Sequence, residues 1–235
     1  MNRLLYGIGD THGCSNALIR LMNKIEEDRA GELTTVVFLG DYTDRGPNSA
    51  GVIEHLLDLK LFPENGMEYI FLRGNHDQML MDYQMNPNSE MSANWIYNGG
   101  GITLQSYLNS DFTLQEHIKQ FFVHTQMSYR HGDFYFVHAG CNPNKGLDEQ
   151  TEIDYLWNRG WNNYKGTFPD NVFVIHGHTP EEKPWIRPNM IGIDTGCCFQ
   201  TKYPEFKLGL TAVRLNSRTD YKFLHANEYP PILKA

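Results

Sequence analysis

Short apolar runs that stop abruptly in polar residues recur along the chain. Leu4 to Ile8, Thr35 to Leu39 and Tyr69 to Leu72 each read as a buried β-strand, and each leads at once into acid, imidazole or amide groups. Between the first two, Leu18, Leu21, Met22 and Ile25 fall at i, i+3, i+4 and i+7, which predicts a helix capped by Ser15 and closed near Gly31. Pro47 is placed to open a second helix carrying Val52, Ile53, Leu56 and Leu57 on one side, and Met79, Leu80 and Tyr83 mark a third after Asn75. Strand and helix alternate, so the strands are expected to be parallel and joined by right-handed crossovers.

The rhythm changes from Asn86 to Thr125. Polar residues and Pro87 precede Trp95-Ile96-Tyr97-Asn98-Gly99-Gly100-Gly101, and a helix is predicted from Thr113 with Ile118, Phe121 and Phe122 inward. Residues 86–125 are therefore read as a mostly helical insert beside the strand ends. Met127 to Arg130 and Phe134 to Val137 flank His131-Gly132-Asp133 as a hairpin, and Val172 to Ile175 forms another short strand. Ile191 to Gly196, Leu210 to Leu215 and Tyr221 to Leu224 read as successive antiparallel strands, making a mixed sheet system.

At the strand ends lie Gly9-Asp10-Thr11-His12-Gly13, Gly40-Asp41-Tyr42-Thr43-Asp44-Arg45-Gly46-Pro47 and Arg73-Gly74-Asn75-His76-Asp77. Later come His138-Ala139-Gly140 and His176-Gly177-His178-Thr179-Pro180. Ligands of α/β sheets collect past strand carboxyl ends. Oxygen and imidazole donors gathered there suit divalent cations. In one arrangement Asp10, His12 and Asp41 hold one ion while Asp41, Asn75, His138 and His178 hold another, with Asp41 bridging. Two such ions acidify a water between them, so the attacking group would be solvent-derived hydroxide. His76 is placed to protonate a leaving alkoxide, with Asp44 fixing its tautomer. Arg45 and Arg73 offer forks for phosphate, the alternative being ion pairs with Asp44 or Asp77. A lone His or Asp in a turn is ordinarily a cap or a solvated residue, but five strand ends carrying such groups argue for a site. His55, His117, His124, His131 and His225 stand outside these stretches and are read as surface or core residues. His176 is weighed as an outer support of its neighbouring ligand.

A chain of 235 residues with no evident linker points to one domain spanning 1–235. Hydrophobic residues at 40%, charged residues at 20% and aromatic residues at 13% describe a folded chain with an aromatic-rich core. The net charge of −8 and the lack of a Lys/Arg cluster argue against nucleic acid or an anionic membrane as partner. Neither a secretory signal nor an apolar run of about 20 residues is present, so a cytoplasmic location is expected. Cys14, Cys141, Cys197 and Cys198 show no paired spacing and are expected to be reduced and outside the site.

The five motif stretches, in this order and from residue 9 to about 180, resemble the signature blocks of the phosphoprotein phosphatase family of calcineurin-like metallophosphoesterases. That resemblance implies a four-layer αββα sandwich of two mixed sheets with a dinuclear site at the strand ends. It implies two divalent ions, manganese most readily in vitro, with iron or zinc as alternatives. It places the ligand roles on Asp10, His12, Asp41, Asn75, His138 and His178, the acid on His76, its partner on Asp44 and phosphate contacts on Arg45 and Arg73. Leu156-Trp157-Asn158-Arg159 is similar to a segment that supplies a further phosphate-binding arginine, here Arg159. The implied reaction is hydrolysis of phosphoserine or phosphothreonine, and of phosphotyrosine as an extension, in a phosphoprotein. The alternative is a dinucleoside tetraphosphate or other phosphorylated small molecule. Asp77 stands where protein phosphatases commonly carry Glu, a change shared with relatives that cleave dinucleoside polyphosphates. Asp44, by contrast, is retained where symmetrical diadenosine tetraphosphate hydrolases typically lack it. Trp95, Tyr97 and Tyr107 are the aromatic residues that the alternative would use to stack an adenine.

Overall fold

The structure, a computed structural model, describes residues 3–161 and 163–229. Its strands are β1 (Leu4–Ile8), β2 (Thr34–Phe38), β3 (Met67–Phe71), β4 (Ser128–His131), β5 (Phe134–Val137), β6 (Phe173–His176), β7 (Trp185–Arg187), β8 (Met190–Gly192), β9 (Leu210–Leu215) and β10 (Tyr221–Ala226). Its helices are α1 (Ser15–Arg29), α2 (Ser49–Leu61), α3 (Asn75–Met85), α4 (Glu90–Trp95), α5 (Gly101–Tyr107), α6 (Leu114–Gln120) and α7 (Glu152–Trp157). Two five-stranded mixed sheets result, ordered β10-β9-β1-β2-β3 and β4-β5-β6-β8-β7. The predicted parallel start holds: β1 pairs β2 from Leu4 opposite Thr34, and β2 pairs β3 from Thr34 opposite Met67.

Side-chain alternation in the strands builds the layers. Leu5 of β1, Val37 of β2 and Val213 of β9 meet Phe136, Ile175 and Ile191 of the second sheet in one buried cluster. Tyr6, Ile8, Val36 and Phe38 point the other way, onto Leu18, Leu21 and Ile25 of α1 and Val52, Ile53 and Leu56 of α2. Gly7 faces the second sheet, where an added Cβ would lie 3.1 Å from the Phe136 ring. On the outer side of that sheet Tyr135, Val137, Val174 and Met190 form a third cluster, with Tyr155 of α7 packed against it. The arrangement is the expected αββα sandwich, thin on its second outer face.

Several local expectations need correction. Cys14, not Ser15, occupies the cap position of α1, and no side-chain hydrogen bond caps that helix; Ala30 ends it in the left-handed conformation, ahead of Gly31. Asn48 caps α2 by accepting from the Gly51 N–H, which puts Pro47 outside the helix. The tail does not form one antiparallel run. β8 lies parallel to β6 in the second sheet, beside β7, a strand too short to register in the sequence pattern, whereas β9 and β10 return to the first sheet. Thr113 does cap α6, through a reciprocal pair with Glu116. Among the described residues no helix is long and apolar enough to cross a membrane.

Candidate metal centre

β1, β2 and β3 lie side by side, so the turns that follow them converge, and the sequel to β5 and β6 meets them from the second sheet. These turns are tight. Among the described residues eight non-glycine residues have positive φ, and five of them are His12, Asp41, Asp44, Arg45 and His178. Such backbone persists where surrounding structure over-determines it, and it concentrates at functional sites. Gly74 is needed for the close approach: a Cβ there would lie 2.2 Å from the Asp41 backbone nitrogen.

The imidazole tautomers are set from behind. His12 Nδ1–H donates to the Thr43 carbonyl at 2.7 Å, and His138 Nδ1–H donates to the Leu39 carbonyl at 2.9 Å. Each therefore turns an Nε2 lone pair inward, as metal-binding histidines do. Asp41 Oδ2 lies 3.4 Å from His12 Nε2 and 3.5 Å from His138 Nε2, between the two. Asn75 Oδ1 is 3.0 Å from His138 Nε2 and 2.9 Å from His178 Nδ1. Two groups of donors within metal-binding reach result, His12 with Asp41 and His76, and Asp41 with His138 and His178. Asp41 belongs to both.

Acceptors crowded together in a buried space call for a cation, and the electrostatics agree. Burial, helped by Asp194, lifts the Asp10 carboxyl well above the ordinary range; burial, helped by Asp77, does the same to Asp41. Burial, reinforced by Arg45 for His12 and by His178 for His138, drives both imidazoles well below their ordinary value. Burial and then Arg159 push His178 down to about 3. Acids reluctant to ionise beside imidazoles held neutral describe a site built for added positive charge. The donor set of imidazole nitrogen, carboxylate and amide oxygen fits two divalent ions.

The sequence-derived candidates are not all placed alike. His12, Asp41, Asn75, His138 and His178 come together. Asp10 sits at the margin, both carboxylate oxygens accepting the His178 backbone N–H at 3.1 and 2.9 Å, and it is in neither group of donors. His76 enters the first group while its Nδ1–H donates to Asp44 Oδ2 at 2.6 Å. Arg45 spans the cavity, Nη1 donating to His12 Nε2 and Nη2 to His76 Nε2, both at 2.7 Å. Arg159 reaches in from beyond α7, its Nε donating to His178 Nε2 at 3.1 Å. Arg73 does not reach in. Its guanidinium donates to Thr125 Oγ1, Gln78 Oε1 and the Phe122 carbonyl, tying the end of β3 to the insert, and the cavity is lined by Arg45 and Arg159 without it.

Asp77 is equally structural. Buried, it accepts the backbone N–H groups of Asp41, Tyr42 and Gly74 at 2.8, 3.0 and 2.8 Å. His176 turns its ring toward Trp185, 5.0 Å between centroids, and contributes no atom to the donor groups. Trp95 is fully buried and Tyr107 Oη bonds His117 Nδ1 at 2.7 Å, so of the three proposed stacking residues only Tyr97 lies exposed. All four cysteines are free.

Two features were missed. Buried Asp194, with its carboxyl pushed up to about 6 by burial against a bond from the Gly196 N–H, stands beside Asp10. Its sequence signal was an apolar strand ending in acid, the same pattern as in the motif stretches. Met79, Asn98 and Trp157 line the cavity, and no periodicity distinguishes them.

A model of the calcineurin-like phosphoesterases matches residues 4–219. The serine/threonine-protein phosphatase 1 of Salmonella typhimurium is 29% identical over 207 residues, covering 84% of this chain and 88% of its own. The asymmetrical bis(5'-nucleosyl)-tetraphosphatase PrpE of a Geobacillus species is 28% identical over 232 residues, covering 85% and 90%. Among solved structures, the cold-active protein-tyrosine phosphatase of a psychrophilic Shewanella superposes with a TM-score of 0.61 at 17% identity, over 96% of this chain and 81% of that one. At that identity the likeness speaks for the fold.

Proposed function

Because the chain belongs to the calcineurin-like phosphoesterase family, we propose that this metal-dependent phosphoesterase is a phosphomonoesterase acting on phosphoserine and phosphothreonine in proteins, with phosphotyrosine as an extension. The observation that carries this reading is Asp41 shared between two buried donor groups, beside a His76–Asp44 pair. His12, Asp41, Asn75, His138 and His178 would hold two divalent ions, with Asp10 joining the first. When bound, the ions supply a water acidified into the neutral range. Arg45 would turn from the two imidazoles to hold the phosphoryl oxygens with Arg159, and His76, doubly protonated once its Nε2 is released from Arg45 and takes up a proton, would deliver that Nε2 proton to the leaving oxygen. Asp44, behind it, keeps the Nδ1 proton in place.

Size favours a monoester. The catalytic cavity, walled by Arg45, Asn75, His76, Asn98, Trp157 and Arg159, encloses about 130 Å³, below the roughly 300–1,000 Å³ of sites that engulf a drug-sized ligand. Only the phosphoryl end would enter, with the rest of the substrate on the rim.

One observation favours a second reading, hydrolysis of a dinucleoside tetraphosphate. A cavity of about 420 Å³ begins at Pro180, two residues past His178, and is lined by half-buried Phe199 and by exposed Tyr203 and Phe206, with Lys202. The Arg45 guanidinium lies 5.8 Å from the Phe199 ring centre, so a nucleobase there would be next to a phosphate held by Arg45. The decisive comparison uses manganese-loaded protein on a phosphothreonine peptide and on diadenosine tetraphosphate, with His76→Asn as blank. Preference for the peptide supports the first reading; preference for the dinucleotide replaces it with the second; release from neither removes both.

A further inference from the structure

Apart from Asn98 on the cavity wall, the run Trp95 to Gly101 has no role in the reading above, yet it presses on the acid's partner. Asp44 is fully buried, and each carboxylate oxygen is engaged. Oδ2 takes the His76 Nδ1–H at 2.6 Å and the Trp95 Nε1–H at 2.8 Å. Oδ1 takes the Thr103 hydroxyl at 2.7 Å, and that same hydroxyl accepts the Asp44 backbone N–H at 2.8 Å. Ser49 Oγ, 3.1 Å from Thr103 Oγ1, closes the circuit by accepting the same N–H at 3.1 Å.

The backbone of the insert is shaped for this contact. α4 ends at Trp95 and α5 carries Thr103, with a π-turn over Ile96–Gly100 between them. Gly100 leaves room for the indole: a Cβ there would lie 2.3 Å from ring atom Cε2. Gly99, at φ 120°, brings its carbonyl within 3.4 Å of the Arg45 nitrogen, where a Cβ would lie 2.8 Å from that atom. Asn98 then reaches the catalytic cavity itself.

We infer that Trp95 and Thr103 are positioning residues for proton delivery: the insert is a clamp that fixes the Asp44 carboxylate so that His76 keeps one proton on Nδ1 and turns Nε2, the atom that takes up and passes on the transferred proton, to the leaving oxygen. The inference rests on His76 being the acid, as proposed above. A carboxylate with one free oxygen can rotate and let the ring turn or exchange tautomers; here the indole holds one oxygen and the threonine hydroxyl holds the other.

A clamp on the acid matters in proportion to how badly the leaving group needs a proton. Trp95→Phe removes the N–H and keeps a ring; Thr103→Val removes the hydroxyl and keeps the shape. Both are compared with the parent protein, manganese-loaded, on p-nitrophenyl phosphate, whose phenolate leaves unaided, and on a phosphothreonine peptide, whose alkoxide does not. The expected result is a fall of about 10–100-fold on the peptide against at most about threefold on the aryl ester, part of the roughly 10²–10⁴-fold that a general acid supplies. Equal falls on both substrates, or none on either, overturn the inference.

A second readout needs no turnover. Two-bond proton–nitrogen NMR correlations of the imidazoles report the His76 tautomer directly. The metal-free parent should show a single form with the proton on Nδ1, the form that leaves Nε2 to take up and pass on the transferred proton, and the two variants a mixture; an unchanged tautomer overturns the clamp. If the parent hydrolyses neither ester, the proposed function fails, and this spectrum still decides whether Trp95 and Thr103 position His76.

Discussion

Asp41 and His76 stand about one side chain apart and are assigned opposite duties, which single substitutions separate. Asp41 is the carboxylate common to both donor groups, and an amide in its place can neither bridge two cations nor neutralise them. Asp41→Asn should therefore lose bound manganese and turnover together. His76 has its Nδ1 committed to Asp44, so His76→Asn should keep nearly all its metal and lose about 10²–10⁴-fold in rate on an alkyl phosphoester. Metal analysis beside kinetics checks both, and equal metal loss in the two variants would refute the division of roles. The residue types and their spacing made these positions legible in the sequence, because metal donors are chemically unmistakable when they follow strands. Direction was not legible. Arg73 and Asp77 sit within two residues of Asn75 yet turn away, and Asp77 is best explained by the three backbone N–H groups it satisfies. Asp77→Ala would leave those donors buried and unpaired, and should lower stability by about 3 kcal/mol or more in urea unfolding, with expression of the folded protein falling accordingly.

At the level of elements, helix and strand order could be read from periodicity up to β3, because each crossover unit is local in sequence. The later strands could not be assigned to a sheet. β8 and β9 are both short apolar runs, yet one joins β6 and the other β1, and that choice depends on contacts far away in the chain. The insert was visible as a change of rhythm, but not its attachment, which runs through side chains: Trp95 and Thr103 onto Asp44 at one end, Arg73 onto Thr125 and the Phe122 carbonyl at the other. Arg73 thus ties β3 to the insert. Arg73→Ala should cost about 1–3 kcal/mol of stability by removing charge-assisted bonds from a part-buried place, and should change KM for a phosphoester little. Arg159→Ala should do the reverse, raising KM about tenfold or more with an unaltered unfolding midpoint. A large rise in KM for the Arg73 variant at unchanged stability would return that arginine to the phosphate.

Across the whole molecule, the first sheet is closed against α1 by a charge network remote from the metal centre, and this network ties stability to pH. Asp28 on α1 accepts from Tyr6 of β1 at 2.6 Å, from Arg214 of β9 at 3.2 Å and from Lys222 of β10. Burial pushes its carboxyl upward, but these donors, Lys222 foremost, outweigh that and hold it at about 2. An unfolded aspartate titrates near 3.9. The folded protein therefore binds a proton here more weakly than the unfolded chain does. The resulting stabilisation is complete above about pH 4 and is lost as pH falls toward 2. Lys222 is largely exposed, so solvent screening reduces the full linkage value to about 1–2 kcal/mol. Asp28→Asn should be less stable than the parent by that amount at pH 7 and at pH 5, and the difference should shrink as urea unfolding is repeated at pH 4, 3 and 2. A difference that stays constant across that range would mean that Asp28 acts through shape and neutral hydrogen bonding, and that the sheet is held to α1 by its apolar face alone.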